Sequence, residues 1–475
     1  MSAANPRADI AGIVQKVLER LQAGESGPSL PDRDTPADRQ RGVFDTVDQA
    51  VDAAEIAQAQ LVELPLDKRR EIIANIRRRC AEAVTTFAEM AHEETGLGRT
   101  ADKITKNLLV IHKTPGPEIL QPSAFSGDDG LTLVERAPYG VIAAITPSTN
   151  PTETIINNGI GMVSGGNAVA FNVHPGAKRC SAWCIDLINR AVMEVGGPEN
   201  VMTCVASPTI ASANDIMRHK KTGLVVVTGG GAVVKAALSS GKRCVAGGPG
   251  NPPVVVDKTA DLDRAARGIV RGASLDNNII CVDEKEVFAV EDIFDELLER
   301  VEKLGCVRLR HHQIRRLEKL VLTPDGKHVN RKWVGQNAGK MLKEIDVHFR
   351  GDPRLVVCEV PFEHPFVQHE MLMPVLPFVR TADTHQAIDL AVEAEHGYRH
   401  TAVMYSRDLD ALHRMARAFD GSIFVKNAPS VAGLGYGGEG FTSFTIASPT
   451  GDGLTTARTF TRERRCTLAG YFRIV

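Results

Sequence analysis

The sequence lacks several features that would define its class at once. No apolar run reaches the ~20 residues that a membrane helix needs, and no secretory signal with an apolar core is recognisable. The 56 Lys and Arg residues nearly balance the 58 Asp and Glu residues, so the net charge of −2 provides no basic surface for nucleic acid or an anionic membrane. We therefore expect a soluble, cytoplasmic protein without either partner.

Regularly spaced cysteines are also missing. The nine cysteines are scattered, which argues against a disulfide scaffold and favours a reducing compartment. Cys180 and Cys184 lie four positions apart on a predicted helix, but no neighbouring Cys or His pair completes a zinc site, so no metal is expected. The 475 residues allow roughly three domains, because one domain takes ~150 residues.

The N-terminal segment differs from the rest of the chain. Its apolar residues recur at helical spacing and predict an amphipathic helix within residues 1–22. Residues 23–42 are rich in Gly, Ser, Pro, Asp and Arg and predict a flexible linker. The apolar stripe needs a surface to cover it. The residues alone leave two choices open, a partner protein or the body of the same chain.

The remaining sequence predicts two α/β regions. Residues 43–246 begin with helical stretches and continue as β-rich runs alternating with helices, which is typical of a parallel sheet covered on both faces. A second α/β region covers residues 247–438. The tail, residues 439–475, has no helical period and predicts strands that pack against another part of an assembly. Residues 125–138 are expected to contribute a strand to the same element.

One Gly-rich turn has the arrangement of a phosphate-binding site. In LVVVTGGGAVVKAA a strand, a turn and a helix follow one another, and Thr228, Gly229, Gly230 and Gly231 form the junction. Backbone amides at such a helix start can face a pyrophosphate because no side chain blocks the approach. The run is not a GxGxxG fingerprint, so a plain tight turn remains the alternative.

Candidate reactive residues are less distinctive when taken alone. Cys281 ends an apolar stretch in SLDNNIICVDEKEVFAV, yet a lone thiol is more often a small buried apolar residue than a nucleophile. A Gly/Pro-dense turn, GGPGNPPVVVD, occupies residues 247–257. Four histidines could each act as a base or be ordinary surface or core residues: His364, His369, His396 and His400.

Five segments, taken together, resemble the aldehyde dehydrogenase superfamily in order and spacing from about residue 43 onwards. They are PYGVIAAITPSTNPTETIINN, the TGGG turn, SLDNNIICVDEK, HEMLMPVLPF and GLGYGGEGFTSFTIASPTGDG. The cysteine segment and the last segment resemble the CoA-acylating branch. The resemblance implies a Rossmann-type cofactor domain that also binds CoA (43–246), an α/β catalytic domain (247–438) and a small β oligomerisation element.

The same resemblance implies a reaction. Cys281 would add to a short aldehyde, propionaldehyde first among the candidates, and NAD would take the hydride. Aligning Pro253–Val256 with the superfamily's PVVV places Gly247 where hydrolytic members have a glutamate that activates water. Without that base, water attack on the acyl enzyme should be slow, and coenzyme A, a better nucleophile, would collect the acyl group.

The resemblance also assigns roles to other polar residues. Asn150, displaced by one position from the superfamily's W-N-F-P asparagine, is expected to stabilise the alkoxide together with the Cys281 N–H. Glu370 is expected to hold the nicotinamide ribose, and His400 to assist proton transfer. Ala177 stands where many NAD-specific members have glutamate, so NADP is a second candidate. The residues expected to bind the cofactor, besides Glu370, are Thr146, Pro147, His174, Pro175, Thr228, Gly229, Gly230 and Gly247.

Partners follow from the nearest group, the propionaldehyde and acetaldehyde dehydrogenases of bacterial microcompartments, whose members carry a similar N-terminal helix and linker. The resemblance favours a helix that binds a microcompartment shell protein, a location inside that compartment, and a homo-oligomer. Three alternatives stay open: an acyl-phosphate reductase on the same fold, a hydrolytic aldehyde dehydrogenase, and an inactive paralogue that serves as cargo or scaffold.

Overall fold

The structure is a computed structural model that describes residues 9–22, 30–36 and 39–475. It divides into two compact units, described separately below. Of the described residues, the first contains 9–22, 30–36, 39–94, 104–247 and 440–475, and the second contains 95–103 and 248–439. Both are built on parallel sheets with helices, so the predicted α/β class is confirmed. None of the helices described is long and apolar enough to cross a membrane.

The helices and strands are numbered in chain order. The α-helices are α1 Ile10–Gln22, α2 Val47–Glu63, α3 Leu66–Glu82, α4 Val84–Thr95, α5 Thr100–Lys113, α6 Pro151–Ser164, α7 Lys178–Glu194, α8 Ile210–Arg218, α9 Gly231–Leu238, α10 Leu262–Ala273, α11 Glu291–Lys303, α12 His311–Val321, α13 Ala338–Glu344, α14 Pro365–Gln368, α15 Thr384–Ala394 and α16 Leu409–Phe419. The strands are β1 Val43–Phe44, β2 Ser123–Gly127, β3 Gly130–Pro138, β4 Val141–Ile145, β5 Ala168–Asn172, β6 Met202–Val205, β7 Thr222–Thr228, β8 Cys244–Gly247, β9 Pro253–Val256, β10 Glu286–Val290, β11 Val307–Arg308, β12 Val356–Glu359, β13 Val375–Thr381, β14 Thr401–Tyr405, β15 Ile423–Lys426, β16 Ile446–Ala447, β17 Gly453–Leu454 and β18 Thr461–Ala469.

The first unit is organised around a six-stranded parallel sheet with the order β1-β6-β5-β4-β7-β8. Strands β4 and β5 are buried along their whole length, which explains why their sequences are almost purely apolar. The strand order reverses between β4 and β7, and ligands of open α/β sheets bind at the carboxyl ends of strands beside such a reversal. Thr146 follows β4 and Thr228 ends β7 at this edge.

Two smaller sheets complete the first unit. Strands β18, β3 and β2 form an antiparallel sheet in which Thr461 pairs with Pro138 and Ala469 with Gly130. Strands β16 and β17 form a short antiparallel pair. The chain just before β16 is fixed to the main body of the unit, because the Phe444 N–H donates to Asn157 Oδ1 at 3.0 Å.

The second unit contains a seven-stranded parallel sheet with the order β11-β12-β13-β10-β9-β14-β15. Its core combines apolar residues of the strands, such as Phe288 and Met404, with apolar residues of α12, α13, α15 and α16, such as Met415, and with Trp333 just before α13. Three adjacent strands of this sheet, β10, β9 and β14, are each preceded by a segment that carries candidate site residues. Residues 95–103, which the sequence analysis placed in the first α/β region, belong to this unit.

The N-terminal segment is described in part. Helix α1 forms as expected, and Ile10 and Val14 of its apolar stripe are 2% and 9% exposed, so part of the stripe is covered within the chain itself. Of the expected linker, residues 23–29 and 37–38 lie outside the described residues. Arg33 pairs with Glu89 at 3.2 Å and with Glu93 at 2.8 Å, so this residue of the expected linker contacts α4.

Candidate functional site

The segment that leads into Cys281 has an unusual backbone. Asp276, Asn277 and Asn278 follow one another with φ angles of 46°, 57° and 65°, all in the left-handed region. This conformation is unfavourable for any residue with a Cβ atom, although Asn and Asp tolerate it best. Three consecutive residues of this kind persist only where the surroundings fix them.

Side-chain hydrogen bonds within the second unit provide that fixation. Asp276 accepts from the Arg99 backbone N–H at 2.6 Å and from Lys103 Nζ at 3.0 Å. Asn277 Nδ2 donates to the Gly335 carbonyl oxygen at 2.8 Å, and Asn278 Nδ2 donates to the carbonyl oxygens of Ala273 and Glu284, both at 2.8 Å. The polar side chains of Asp276, Asn277 and Asn278 therefore fix the conformation of the loop before the cysteine.

Cys281 differs from most other cysteines in its exposure. It is half-buried, as is Cys244, whereas Cys466 is exposed and the other six cysteines are buried. Burial first, and the Glu370 carboxyl second, raise the pKa of the Cys281 thiol to about 12, although the Lys285 ammonium group acts to lower it. The thiol is therefore protonated in the resting protein at neutral pH, and a base or substrate-linked step must remove its proton.

Three further residues of the second unit lie close to Cys281 or to one another: Gly250, Glu370 and His400. A Cβ atom on Gly250 would lie 2.8 Å from the Cys281 carbonyl oxygen and 2.9 Å from His400 Cγ, so this position accepts only glycine without movement. The Gly250 N–H donates to Glu370 Oε1 at 3.3 Å. The structure thus brings together Cys281, Glu370 and His400, which the sequence analysis selected from three distant segments.

The ionisation of the two neighbours is set by burial. Burial, together with the smaller effect of the Lys285 charge, lowers the pKa of His400 to about 3, so the imidazole is neutral. Its Nδ1 lies 2.9 Å from Thr401 Oγ1, while Nε2 has no hydrogen-bond partner among the described residues. Burial raises the pKa of Glu370 to about 6, although Lys285 and the Gly250 N–H lower it, so Glu370 is a carboxylate at neutral pH.

The Gly-rich turn of the first unit is open enough for a phosphate. Gly230 precedes α9 without a side-chain cap, and Cβ atoms added to Gly230 and Gly231 would meet nothing within 4 Å. Thr228 Oγ1 lies 2.6 Å from Thr445 Oγ1, which in turn lies 3.0 Å from Asn158 Oδ1. The turn therefore combines a fixed threonine with unobstructed backbone, which fits the pyrophosphate of a dinucleotide.

Asn150 also lies in the first unit, immediately before α6. Its Oδ1 accepts from Lys106 Nζ at 2.6 Å, and its Nδ2 donates to Thr149 Oγ1 at 3.1 Å. Because a lysine ammonium group only donates, this bond fixes the orientation of the amide and leaves the second Nδ2 hydrogen for another acceptor. Lys106 is itself buried and lies 3.3 Å from Glu153 Oε1.

The other predicted cofactor residues occupy the same unit. Thr146 is 2% exposed, and its Oγ1 has no hydrogen-bond partner among the described residues. Pro147 is half-buried beside it. His174 is exposed, and its Nδ1 accepts from the Gly176 N–H at 3.0 Å, with Pro175 exposed beside it. The roles of these residues stay predictions.

Comparison with known proteins places this geometry in a family. Residues 31–311 match the model of the aldehyde dehydrogenase family. The chain belongs to the aldehyde dehydrogenase family. The acetylating acetaldehyde dehydrogenase of Escherichia coli K12 is 48% identical over 472 residues, which cover 98% of this chain and 99% of that protein.

Two solved structures of the family are similar to this chain. The propionaldehyde dehydrogenase of the Clostridium phytofermentans fucose utilisation microcompartment has a TM-score of 0.90 and 46% identity, covering 92% of this chain and 100% of that one. The Rhodopseudomonas palustris propionaldehyde dehydrogenase, solved with bound CoA and an acylated cysteine, has a TM-score of 0.89 and 47% identity, covering 90% and 98%. The predicted membership of the CoA-acylating branch is confirmed.

Gly247 packs closely against the C-terminal segment. Gly247 is the last residue of β8 and is buried, and its carbonyl oxygen accepts from the Gly229 N–H at 3.1 Å. A Cβ atom there would lie 3.2 Å from the Ile446 carbonyl oxygen and 3.4 Å from the Ile446 nitrogen. The first atoms of a side chain at residue 247 would therefore meet the backbone of the C-terminal segment.

Sequence reasoning missed several residues that shape the site. Lys106, Lys285 and Thr445 were not selected, because a single lysine or threonine in a helix, a loop or the tail has no distinctive local pattern. Gly250 was treated only as part of a turn. Its contacts with Cys281 and His400 depend on segments far away in sequence. The one available signal was that Lys285 lies four residues after the candidate nucleophile.

Proposed function

We propose that this protein oxidises a short aldehyde to its acyl-CoA and that Cys281 carries the acyl group between the two half-reactions. The observation that carries this proposal is the half-buried Cys281 at the end of a fixed loop, next to Glu370 and His400. The lack of a carboxylate at Gly247, which aligns with the glutamate of hydrolytic members, supports acyl transfer to CoA over hydrolysis. Propionaldehyde and acetaldehyde are the proposed substrates, since relatives acting on both are close in sequence.

The first half-reaction forms the acyl enzyme. The Cys281 sulfur bonds to the aldehyde carbon, giving a thiohemiacetal alkoxide, and the thiol proton leaves to a base or water. We propose that two groups donate hydrogen bonds to the alkoxide, the Cys281 N–H and Asn150 Nδ2. Lys106 fixes the orientation of the Asn150 amide. Bound NAD supplies the hydride acceptor, with NADP as the second candidate. The carbon–hydrogen bond then breaks and an acyl thioester remains on Cys281.

The second half-reaction transfers the acyl group. The CoA thiol loses its proton and attacks the thioester carbon, and the Cys281 thiolate leaves and takes up a proton. Neutral His400, with Nε2 unpartnered among the described residues, is the proposed site that exchanges protons in both half-reactions. Glu370 is proposed to hold the nicotinamide ribose through its carboxylate.

CoA dependence tests the function directly. We expect steady NADH formation from propionaldehyde and NAD only when CoA is present, and a single turnover per Cys281 when CoA is absent. Absorbance at the NADH band in a stopped-flow instrument, with acyl-CoA quantified by chromatography, measures both. Steady turnover that ignores CoA would indicate a hydrolytic enzyme. Reduction of an acyl phosphate without any response to CoA would indicate an acyl-phosphate reductase.

We also propose that α1 binds a shell protein and that the enzyme works inside a bacterial microcompartment. The support is the amphipathic pattern of α1 and the similarity to a propionaldehyde dehydrogenase of such a compartment. The burial of Ile10 and Val14 means that α1 has to leave a surface of its own chain to bind a partner through the same stripe.

Removal of residues 1–22 separates the two uses of the helix. We expect the truncated enzyme to keep its kcat but to lose co-purification with co-expressed shells, because α1 lies outside both sheets. A Lys16→Ala variant, altered on the exposed face of α1, is the control and should still co-purify. Unchanged co-purification of the truncated enzyme would contradict the proposal, and a lower kcat would mean that α1 supports the enzyme body.

The antiparallel sheet of β2, β3 and β18 is the proposed oligomer contact. Strand β2 is exposed along its whole length, as is β18 after Thr461, and Phe125 and Leu468 are 62% and 44% exposed. Exposed strands with apolar side chains usually pair with another chain. A monomer in sedimentation velocity at micromolar concentration would contradict this assignment.

A further inference from the structure

Lys285 is buried next to the catalytic loop and has no role in the reaction described so far. It is 2% exposed and precedes β10, four residues after Cys281. Its Nζ donates to the Asn278 carbonyl oxygen at 2.9 Å, to Asn278 Oδ1 at 2.7 Å and to the Ile280 carbonyl oxygen at 3.1 Å. All three ammonium hydrogens therefore have acceptors in the loop that ends at Cys281.

These bonds act on the least favourable part of the backbone. Asn278 is the last of the three left-handed residues, and Ile280 directly precedes the nucleophile. The Lys285 N–H also donates to the Pro252 carbonyl oxygen at 2.9 Å, which fixes Lys285 beside the start of β9. The lysine thus ties the loop to the central strands of the second unit, and a displacement of the loop would displace the Cys281 sulfur.

The ammonium group of Lys285 has no carboxylate within ion-pair distance among the described residues. Within the described part of the chain it forms hydrogen bonds to neutral oxygen atoms and no ion pair. Burial is the largest influence on the pKa of each neighbouring group, and it raises that of Cys281 and Glu370 and lowers that of His400. Lys285 lowers the pKa of all three.

Each of these effects favours the form that the reaction needs. A lower pKa favours the Cys281 thiolate, the Glu370 carboxylate and the neutral His400 imidazole. One buried cation therefore acts in the useful direction on all three groups. Lys285 lies between two buried carboxyl groups in the sequence, Glu284 and Glu286. Burial raises the pKa of both carboxyl groups, and the charge of Lys285 acts to lower it.

We propose that Lys285 is a positioning residue for acyl transfer, which holds the Asp276–Cys281 loop through three hydrogen bonds and stabilises the Cys281 thiolate with its charge. The inference rests on the proposed role of Cys281 as the nucleophile. It assigns no contact between Lys285 and the substrate. The lysine acts through the loop and through its electric field.

Alkylation of Cys281 tests this role without aldehyde or cofactor. In Lys285→Met and Lys285→Gln, we expect the rate of Cys281 carbamidomethylation by iodoacetamide at pH 8 to fall about tenfold, the change for a pKa higher by about one unit. The rate with anionic iodoacetate should fall more than the rate with neutral iodoacetamide, because a nearby positive charge is lost. Peptide mass spectrometry measures both rates, and kcat should fall about 100-fold.

A second buried lysine provides a matched control. Lys103 Nζ lies 3.0 Å from Asp276 Oδ2 in the same loop, and the side chains of Lys103 and Asp276 are fully buried. Lys103→Met should lower thermal stability while leaving the ratio of the two alkylation rates near that of the unchanged protein. Lys285→Gln keeps an amide that can donate some of the hydrogen bonds to the loop. This variant allows the alkylation test if Lys285→Met does not fold.

The outcomes separate this inference from the proposed function. An unchanged iodoacetate-to-iodoacetamide ratio in both Lys285 variants, or a Lys285→Gln enzyme with full kcat, would overturn the role of Lys285. Failure of the unchanged protein to form an acyl adduct on Cys281 would overturn the function instead. The alkylation rates are read independently of that adduct.

Discussion

Replacement of Cys281 by serine is expected to lower kcat by on the order of 10⁴-fold or more. A hydroxyl group is much harder to ionise than a thiol, and an oxygen ester is a poorer acyl donor to CoA than a thioester. The loop that carries residue 281 is fixed by Asp276, Asn277 and Asn278, so the substitution should leave the fold intact. Thermal unfolding of the variant checks that expectation.

Mass spectrometry completes this test. Protein mixed with propionaldehyde and NAD, but without CoA, should carry one acyl group on the peptide that contains Cys281, and the serine variant should carry none. Cys244→Ser is the matched control, because Cys244 is the other half-buried cysteine and burial raises its thiol pKa to about 11. The proposal fails if Cys281→Ser retains activity within tenfold of the unchanged protein, or if the acyl group is found on another cysteine.

Introduction of the hydrolytic family's glutamate at Gly247 is expected to destabilise the protein without creating a hydrolase. The new Cβ would contact the backbone of Ile446, and the carboxyl group would have to displace that segment or ionise in a buried place. Overpacking and burial of a charge together should lower the free energy of unfolding by at least about 3 kcal/mol. Thermal or urea unfolding measures the loss.

The Ile446 segment has little freedom to yield. Thr445 Oγ1 is bonded to Thr228 and Asn158, and Ile446 pairs with Leu454 in the β16–β17 sheet. Gly247→Ala adds the Cβ alone and should be much milder, and it keeps the test informative if Gly247→Glu does not fold. CoA-independent turnover by Gly247→Glu would contradict this account, since it would show that the space can accept a working base.

The two substitutions address different sources of the acylating reaction. We propose that Cys281 carries the thioester and that the lack of a carboxylate at Gly247 leaves no base there to activate water. The backbone of Ile446 lies 3.2 to 3.4 Å from the position of a Cβ atom at Gly247, so we expect little room there for the glutamate side chain of hydrolytic members. We therefore do not expect Gly247→Glu alone to turn the protein into a hydrolase.

The sequence by itself determined the fold class and the family. The alternation of β-rich and helical runs predicted parallel sheets, because strands buried on both faces require continuous apolar sequences such as VIAAI at β4. The ordered motifs around Cys281 and Glu370 predicted the CoA-acylating branch, which the comparisons confirmed. The domain limits were less accessible, since residues 95–103 join the second unit through contacts such as the Lys103–Asp276 ion pair.

The tertiary structure alone decided which groups act on one another. Lys285 and Lys106 are ordinary lysines in the sequence, and only folding places their ammonium groups against the Cys281 loop and the Asn150 amide. The contact of Gly247 with Ile446 joins positions about two hundred residues apart. Local sequence patterns report the period and polarity of one element. Burial, charge and close packing arise from distant segments that meet only in the folded chain.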